Sequence, residues 1–459
     1  MEKQSKDYEK NENDWTDREI QSETLSFMTS AMIKDIFKQT EIGEWEEAVF
    51  SEAIDVNPKR ELKKGQSAKC VSMIDIEPFK RKISNFSIKE FKGGSKFRNK
   101  DTLFARITPC LENGKTAFVD ILDNGEIGFG STEFIVLSAK EEKTDSYFVY
   151  YLSRSPEIRK VAIKSMTGTS GRQRVENEVF DTIIINLPPV SEQSSIAKIL
   201  SDLDSKIELN QQMNKTLESI GHAIFKHWFV DFEFPNEKGK PYKSSGGEMV
   251  DSELGKIPKG WEVGKLGDLG KIQPGFAFKS KDFLDDGIGL AKIKNIQPPI
   301  VDFNFESYIS EELYNETNNR FYLFSGDILI AMTGAKIGKI GIIPKTENKI
   351  LLNQRVGKVE SNNKYLMYLI LNTNEIQELI SGGSSASSAQ GNISNSDIEN
   401  FIYLIPNEIF LQKINKVMNC LFVKMIDNLG EIQNLSQIRD SLLPKLMSGK
   451  IRVPVKTNR

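Results

Sequence analysis

The sequence predicts an α/β (α+β) protein: two mixed α/β domains in pseudo-twofold tandem repeat, joined by two long helices that form an antiparallel coiled coil. Three observations predict it. The chain repeats itself at an offset near 218 residues; each repeat ends in a run with a seven-residue apolar period; and short β-branched or aromatic stretches precede each run.

The repeat is clearest in two stretches, TGTSGRQRVENEVFDTIIINLPPVSEQSSIAKIL (167–200) and GGSSASSAQGNISNSDIENFIYLIPNEIFLQKI (382–414). Each runs from a small polar loop through a Gln and an acidic turn to a strand, a proline and a helix. They align on Pro188 and Pro406, 218 residues apart. Upstream, DTLFARITP (101–109) matches DILIAMTGA (327–335), and the entry from Glu44 matches that from Gly260. Drift in the offset is what surface-loop insertions produce.

In the first domain, the strands expected are Thr102–Ile107, Thr116–Ile121, Glu133–Leu137 and Thr182–Asn186. Their counterparts are Asp327–Met332, Ile340–Ile343, Gln354–Val359 and Phe401–Leu404. Amphipathic helices are expected over Tyr147–Met166 and Lys364–Ile380.

The first long helix is expected from an N-cap at Ser191 to about His227, roughly 55 Å at 1.5 Å per residue. Its a positions read Ile196, Leu203, Asn210, Leu217 and Ile224, and its d positions Ile199, Lys206, Met213 and Ile220. The second runs from near Asn407 to Met447, with Ile414, Leu421, Asn428, Leu435 and Leu442 at a. Gly449 reads as its stop, and Pro444 as an end or kink in its last turn. Asn210 and Asn428 share one a position, where Asn fixes register, so antiparallel pairing places them beside one another.

The domains read as an acidic helical extension (1–43), a first domain (44–188), a first helix (189–232), a connector over the surface (233–259), a second domain (260–406) and a second helix (407–453).

Composition narrows the function. Of 459 residues, 39% are hydrophobic and 27% charged; no apolar run is long enough to span a bilayer, and the N-terminus has no signal-peptide core. Three scattered cysteines suit a reducing cytoplasm. Net charge is −3, so an anionic partner must meet a local patch. Residues 80–115 supply one, with ten basic against three acidic side chains, whereas 271–339 hold eight against nine.

No convergent catalytic set is visible. His222 and His227 lack zinc spacing, and GAKIGKI (334–340) has one residue too few between its glycines for a phosphate loop. The expectation is a non-enzyme holding neither metal nor cofactor. What recurs is donors in loops: Lys92, Lys96, Arg98, Arg106, Thr108, Lys115, Thr169, Ser170, Arg172, Gln173 and Arg174 in the first domain, and Thr333, Lys336, Lys339, Ser384, Ser387, Ser388, Gln390 and Asn392 in the second. Hydroxyls, Lys and glycine N–H groups hold phosphates; Arg172 and Arg174 can read guanine, Gln173 and Gln390 adenine. Two such domains about 50 Å apart on a rod suit half-sites about one and a half DNA turns apart.

These residues resemble the specificity subunits of type I restriction–modification systems. The resemblance rests on TSGRQRVENEVFDTIIINLPPVSEQSSIAKIL, GSSASSAQGNISNSDIENFIYLIP, SGDILIAMTGAKIGKIG, LNQRVGKV, GKIPKGWEVGKLGDL and the closing IRDSLLPKLMSGKIRV, and covers about residues 44–453. It implies two target recognition domains, each reading half of a split site in double-stranded DNA, with helices that set the gap. It also implies partners: two methyltransferase subunits using S-adenosylmethionine, and up to two restriction subunits using ATP and Mg. The outward helix faces and the apolar ends around Phe225, Trp228 and Leu442–Leu446 are then docking candidates. Rival readings are a coiled-coil scaffold, an enzyme using the 334–339 loop, and a stand-alone DNA-binding regulator.

Overall fold

The computed structural model describes residues 44–169, 171–383 and 391–453; the 1–43 extension, Ser170, Ser384, Ser387, Ser388 and Gln390 lie outside them. The chain divides into two compact units. Of the described residues, 44–205 with 437–453 form unit 1, and 206–436 form unit 2. Each long helix therefore contributes one segment to each unit.

Unit 1 holds β1 (Glu46–Val49), β2 (Ile54–Val56), β3 (Ser67–Val71), β4 (Ser87–Glu90), β5 (Ser95–Phe97), β6 (Thr102–Ala105), β7 (Thr116–Phe118), β8 (Gly128–Gly130), β9 (Phe134–Ala139) and β10 (Ile184–Leu187). They form sheets ordered β2-β9-β6-β7 and β4-β3-β8-β5, with β1 and β10 as a separate antiparallel pair. All four residues of β6, TLFA, are buried, which suits a strand flanked on both edges and covered on both faces. Leu103 faces one core with Val71 and Phe97, and Phe104 the other with Phe50 and Phe180.

The expected helix over Tyr147–Met166 is two, α1 (Ser146–Arg154) and α2 (Pro156–Lys164). Pro156 cannot donate to the preceding turn and holds Ser155 extended, and Ser155 Oγ caps the new helix at Ile158 N, 3.4 Å. After α3, the first long helix (Val190–Phe225), unit 2 holds α4 (Lys364–Leu371) and α5 (Asn374–Gly383), so the second expected short helix is also split.

The strands of unit 2 are β11 (Met249–Ser252), β12 (Gly255–Pro258), β13 (Glu262–Lys265), β14 (Lys271–Pro274), β15 (Ile288–Ala291), β16 (Ile296–Gln297), β17 (Ile300–Val301), β18 (Tyr308–Ile309), β19 (Ile328–Ala331), β20 (Ile340–Ile342), β21 (Ile350–Leu352), β22 (Val356–Glu360) and β23 (Ile402–Ile405). The main sheet runs β14-β22-β19-β20-β17-β16, beside β18-β15-β21 and the pair β13-β23. The connector is structured: β11 and β12 form a hairpin, and Phe234 and Ile257 are buried with Trp261.

α3 begins at Val190, one residue before the expected Ser191 cap, and passes at Phe225 into a π-helical turn, Lys226–Val230. The second long helix, α6 (Glu408–Met447), starts after Asn407, whose Oδ1 accepts from Phe410 N at 2.9 Å. It continues through Pro444 rather than ending there; one missing N–H in the last turn is tolerated, and Gly449, at φ 70°, follows.

The heptad needs a correction. Lys206 and Ile220 are exposed, and the buried seam runs through Gln193, Leu200, Ile207 and Asn214 instead of Ile199, Lys206, Met213 and Ile220. In α6 the buried seam is Leu411, Met418, Met425, Arg439 and Leu446. The 196/203/210 series is thus d and not a: the following core position lies four residues on, not three, and the two alternations look alike in a sequence with mixed d residues.

Asn210 and Asn428 are both buried, but they do not pair as expected. Within unit 2, Asn428 Nδ2 donates to Asn214 Oδ1 at 2.8 Å, and Asn210 Nδ2 to Glu431 Oε2 at 2.8 Å. These contacts run antiparallel: residue numbers rise along one helix and fall along the other. The shift of about one helical turn follows from the exchanged a and d positions.

The units anchor these helices by different chemistry. In unit 1, Glu192 is 1% exposed and accepts from Arg452 (2.8 Å), Trp45 Nε1 (3.1 Å) and Val453 N (3.3 Å), with the Arg452 guanidinium 5.2 Å from the Trp45 ring. Burial pushes the Glu192 carboxyl up, but these donors together outweigh it and hold it below its ordinary value. The repeat offset carries Glu192, Arg452 and Trp45 to Phe410, Phe234 and Trp261 in unit 2. These pack as rings: Trp261–Phe410 at 4.7 Å and Phe234–Phe410 at 5.1 Å. Asp204 shows the same exchange. It accepts Arg439 Nη1 and Tyr151 OH, both at 2.7 Å, whereas its counterpart Phe422 stacks on Tyr365 at 4.4 Å.

Candidate nucleic-acid interface

The recurring loops meet, and they meet the same way in both units. In unit 1 the chain leaving β6 lies beside the 167–175 hairpin: Val175 N donates to Arg106 O (2.9 Å), Thr108 N donates to Gln173 O (3.0 Å), and Ile107 bridges Arg174. In unit 2 the chain leaving β19 lies beside the stretch from Gly391: Ile393 N donates to Met332 O (3.0 Å), Gly334 N donates to Gly391 O (3.0 Å), and Thr333 bridges Asn392. Backbone pairing thus fixes a frame, and the frame carries different side chains.

In unit 1 this gathers Arg106, Thr108, Thr169, Arg172, Gln173 and Arg174. Thr169 and Arg172 are exposed. Arg174 is held: its guanidinium forks onto Glu133, with Nε and Nη2 at 3.0 and 2.7 Å. That hydrogen bond, and the charge of Glu133 behind it, raise its pKa above the ordinary arginine value. Arg106 Nη2 pairs with Glu176 at 3.0 Å, and Thr108 Oγ1 faces Met166 Sδ. Arg172 is therefore the cation of the hairpin presented outward.

Lys115 closes the loop after Thr108, and its Nζ donates to Met73 O at 2.7 Å. Gly114 precedes it at φ 76°, where a Cβ would meet the Phe79 ring at 2.5 Å, so only glycine fits. The other cations expected at the site lie elsewhere. Arg98 precedes β6, at the end away from the loops, and its amide is fixed by Asp101 at 2.8 Å. Lys96 donates to Arg60 O and covers the Phe91 ring; Lys92 is exposed on the β4–β5 connection.

In unit 2, Thr333 is half-buried, and Lys339 and Asn392 are exposed. Lys336 Nζ donates to Lys294 O and Ile296 O at 3.2 Å. Burial, with Lys339 and Lys294 nearby, lowers its pKa. The glycines of the 334–339 loop lead not into a phosphate-binding helix but into a three-residue 3-10 turn and β20.

Sequence reading missed the side chains that brace these loops. Arg159 Nη2 donates to Leu111 O and Glu112 O at 3.1 Å, with its guanidinium 5.0 Å from the Phe79 ring. Arg154 donates to Phe79 O (3.1 Å) and Tyr150 OH (2.9 Å), linking the Asp204–Arg439 pair to the loop frame. In unit 2, Gln377 Nε2 donates to Gly338 O at 3.0 Å. Each sits alone on a helix; no local pattern marks it. The aspartates opening the two strands are braces too. Asp101 takes Arg60 at 2.7 Å, Asp327 takes Phe324 N at 2.9 Å, and burial raises the pKa of both.

Among the described residues, no helix is long and apolar enough to cross a membrane. A model of the type I restriction modification DNA specificity domain matches twice, over residues 42–219 and 258–431. The MjaIX specificity subunit of a type I restriction enzyme from Methanocaldococcus jannaschii is 31% identical over 67% of this chain and 69% of its own. The HindI specificity subunit from Haemophilus influenzae is 26% identical over 80% of this chain and 90% of its own. The crystal structure of a type I restriction–modification S subunit from M. genitalium superposes with a TM-score of 0.52 at 15% identity, covering 89% of this chain and 97% of that one. Two copies of one DNA specificity domain, spanning most of a chain with an internal repeat, make this protein a member of the type I restriction–modification specificity subunit family.

Proposed function

We propose that each unit reads one half of a split, asymmetric site in double-stranded DNA, that the paired helices set the unread gap, and that the chain recruits methyltransferase and restriction subunits without catalysis of its own. The observation that carries this is the loop frame built twice with different contents: Arg172 and Gln173 on one, Thr333 and Asn392 on the other. A shared backbone suits equivalent docking, and divergent side chains suit different words. On this reading S-adenosylmethionine, ATP and Mg belong to the partners, and the complex works in the cytoplasm. Of the docking candidates named from the sequence, Phe225, Leu443 and Leu446 are packed into the cores and cannot meet a partner, which leaves the half-buried Trp228 and Leu442 and the exposed apolar residues Val230 and Ile438 for partner contact.

The test is a map of methylated adenines in cells with and without this gene. The proposal expects one split motif, with an unread middle, to vanish on deletion. An unchanged map in cells shown to express the chain with its methyltransferase would overturn it.

A further inference from the structure

Beside the loop frame of unit 1 stands a three-residue 3-10 turn, Met73–Asp75, and its middle residue, Ile74, is 83% exposed. The flanking Ile76 is fully buried, so this is not a generally loose segment. The turn is pinned on every side. Ser72 N donates to Asp75 Oδ2 (2.7 Å), Ser84 N and Oγ donate to Asp75 O (2.9 and 2.7 Å), and Lys115 Nζ reaches from the reading loop to Met73 O. A rigid turn thus holds a bare, β-branched apolar side chain in water next to the loop frame of the candidate interface.

Unit 2 builds the same device. Its turn is Ile293–Asn295, capped by Lys292 N to Asn295 Oδ1 at 3.0 Å and tied to the loop after β19 by Lys336. The pinning recurs, but the tip does not: Lys294 stands where unit 1 has Ile74, and it pairs with Glu306. A constant frame with a variable tip is the pattern already seen in the loop pair.

We propose that this turn is a second reading element in each unit, and that Ile74 contacts a thymine methyl group in the major groove. The inference rests on the DNA-reading function proposed above. The chemistry is specific: thymine alone among the four bases offers an apolar methyl on that edge, and an aliphatic side chain with no donor or acceptor can read nothing else there. Lys294 at the same place suits an acceptor edge or a phosphate, so the two turns need not share a preference.

The experiment uses the full chain in complex with its methyltransferase subunit and duplexes carrying the mapped motif. Each thymine of the half-sites, on either strand, is replaced in turn by deoxyuridine, which lacks only the methyl. At one position of one half-site, deoxyuridine is expected to weaken wild-type binding about fourfold, the worth of one buried methyl. Ile74→Ala should bind the thymine and uracil duplexes at that position equally, with the other half-site unaffected. Because Ile74 packs against so little, Ile74→Ala should keep the wild-type melting temperature. The proposal is overturned if no deoxyuridine position weakens wild-type binding, or if Ile74→Ala retains the wild-type response. Failure of wild-type binding to any split motif would instead count against the DNA-reading function itself, so the two failures are distinct.

Discussion

Arg439→Met should be among the more damaging single changes in unit 1, although residue 439 touches none of the loops of the candidate interface. Asp204 is 3% exposed and accepts from Arg439 at 2.7 Å and Tyr151 at 2.7 Å; Arg154 stands at 3.8 Å. Removing one partner of a buried ion pair leaves the other charge uncompensated, at a cost of about 3–5 kcal/mol. Arg154 and Tyr151 remain, which places the expectation at the low end, about 3 kcal/mol. For a unit of this size, that lowers the melting temperature by roughly 6–12 °C. The double variant Asp204→Leu with Arg439→Met removes both charges and brings the site nearer to the apolar chemistry of Phe422 in unit 2. Its loss should fall short of the summed single losses by about 1–3 kcal/mol. Because two units need not melt together, the assay is hydrogen exchange resolved to helix amides 190–205, alongside calorimetry. A loss below about 1 kcal/mol for Arg439→Met, or additive losses in the cycle, would refute the reasoning.

Leucine at both Asn214 and Asn428 should be more stable than the two single replacements predict, by about 1–3 kcal/mol, since each single change leaves a buried amide of the other without its partner; denaturation of the four proteins checks it. Glu192, held below its ordinary pKa in the fold, contributes stability that is complete above the unfolded value and is lost as pH falls through the folded one. Glu192→Gln should therefore destabilise unit 1 by about 1.5–3 kcal/mol near neutrality and flatten its acid-side stability profile, read from melting temperatures across pH. Arg172→Ala should relax one base of one half-site by about 1–3 kcal/mol without lowering the melting temperature, whereas Arg174→Ala, which frees Glu133, should lower it.

The repeat, both long helices and most central strands were legible because their signals are local: a seven-residue period, a proline at each strand-to-helix step, and β-branched runs such as those of β6 and β19. Much of the rest was not local. β3 and β4 read SAKCV and SIKE, too short and too polar to announce a second sheet. Asp204 and Arg439 look like ordinary helical charges, and only a fold that brings together residues 235 positions apart makes them a pair. The exchanged heptad positions have a similar cause: spacings of three and four alternate, and Lys206, Asn210 and Asn214 blur which comes first. At the candidate site, residue types pointed to loops that the fold brings side by side, but could not separate the outward Arg172 from Arg174, which a glutamate 41 positions away holds in place.

The most direct test inserts one heptad into each long helix, after Ser205 and after Ser436, and maps adenine methylation when the variant is expressed with its methyltransferase subunit. Seven helical residues add about 10 Å, close to three base pairs. The account predicts the same two words with an unread middle about three base pairs longer. A middle of unchanged length with both words intact, or a change in either word, would contradict it.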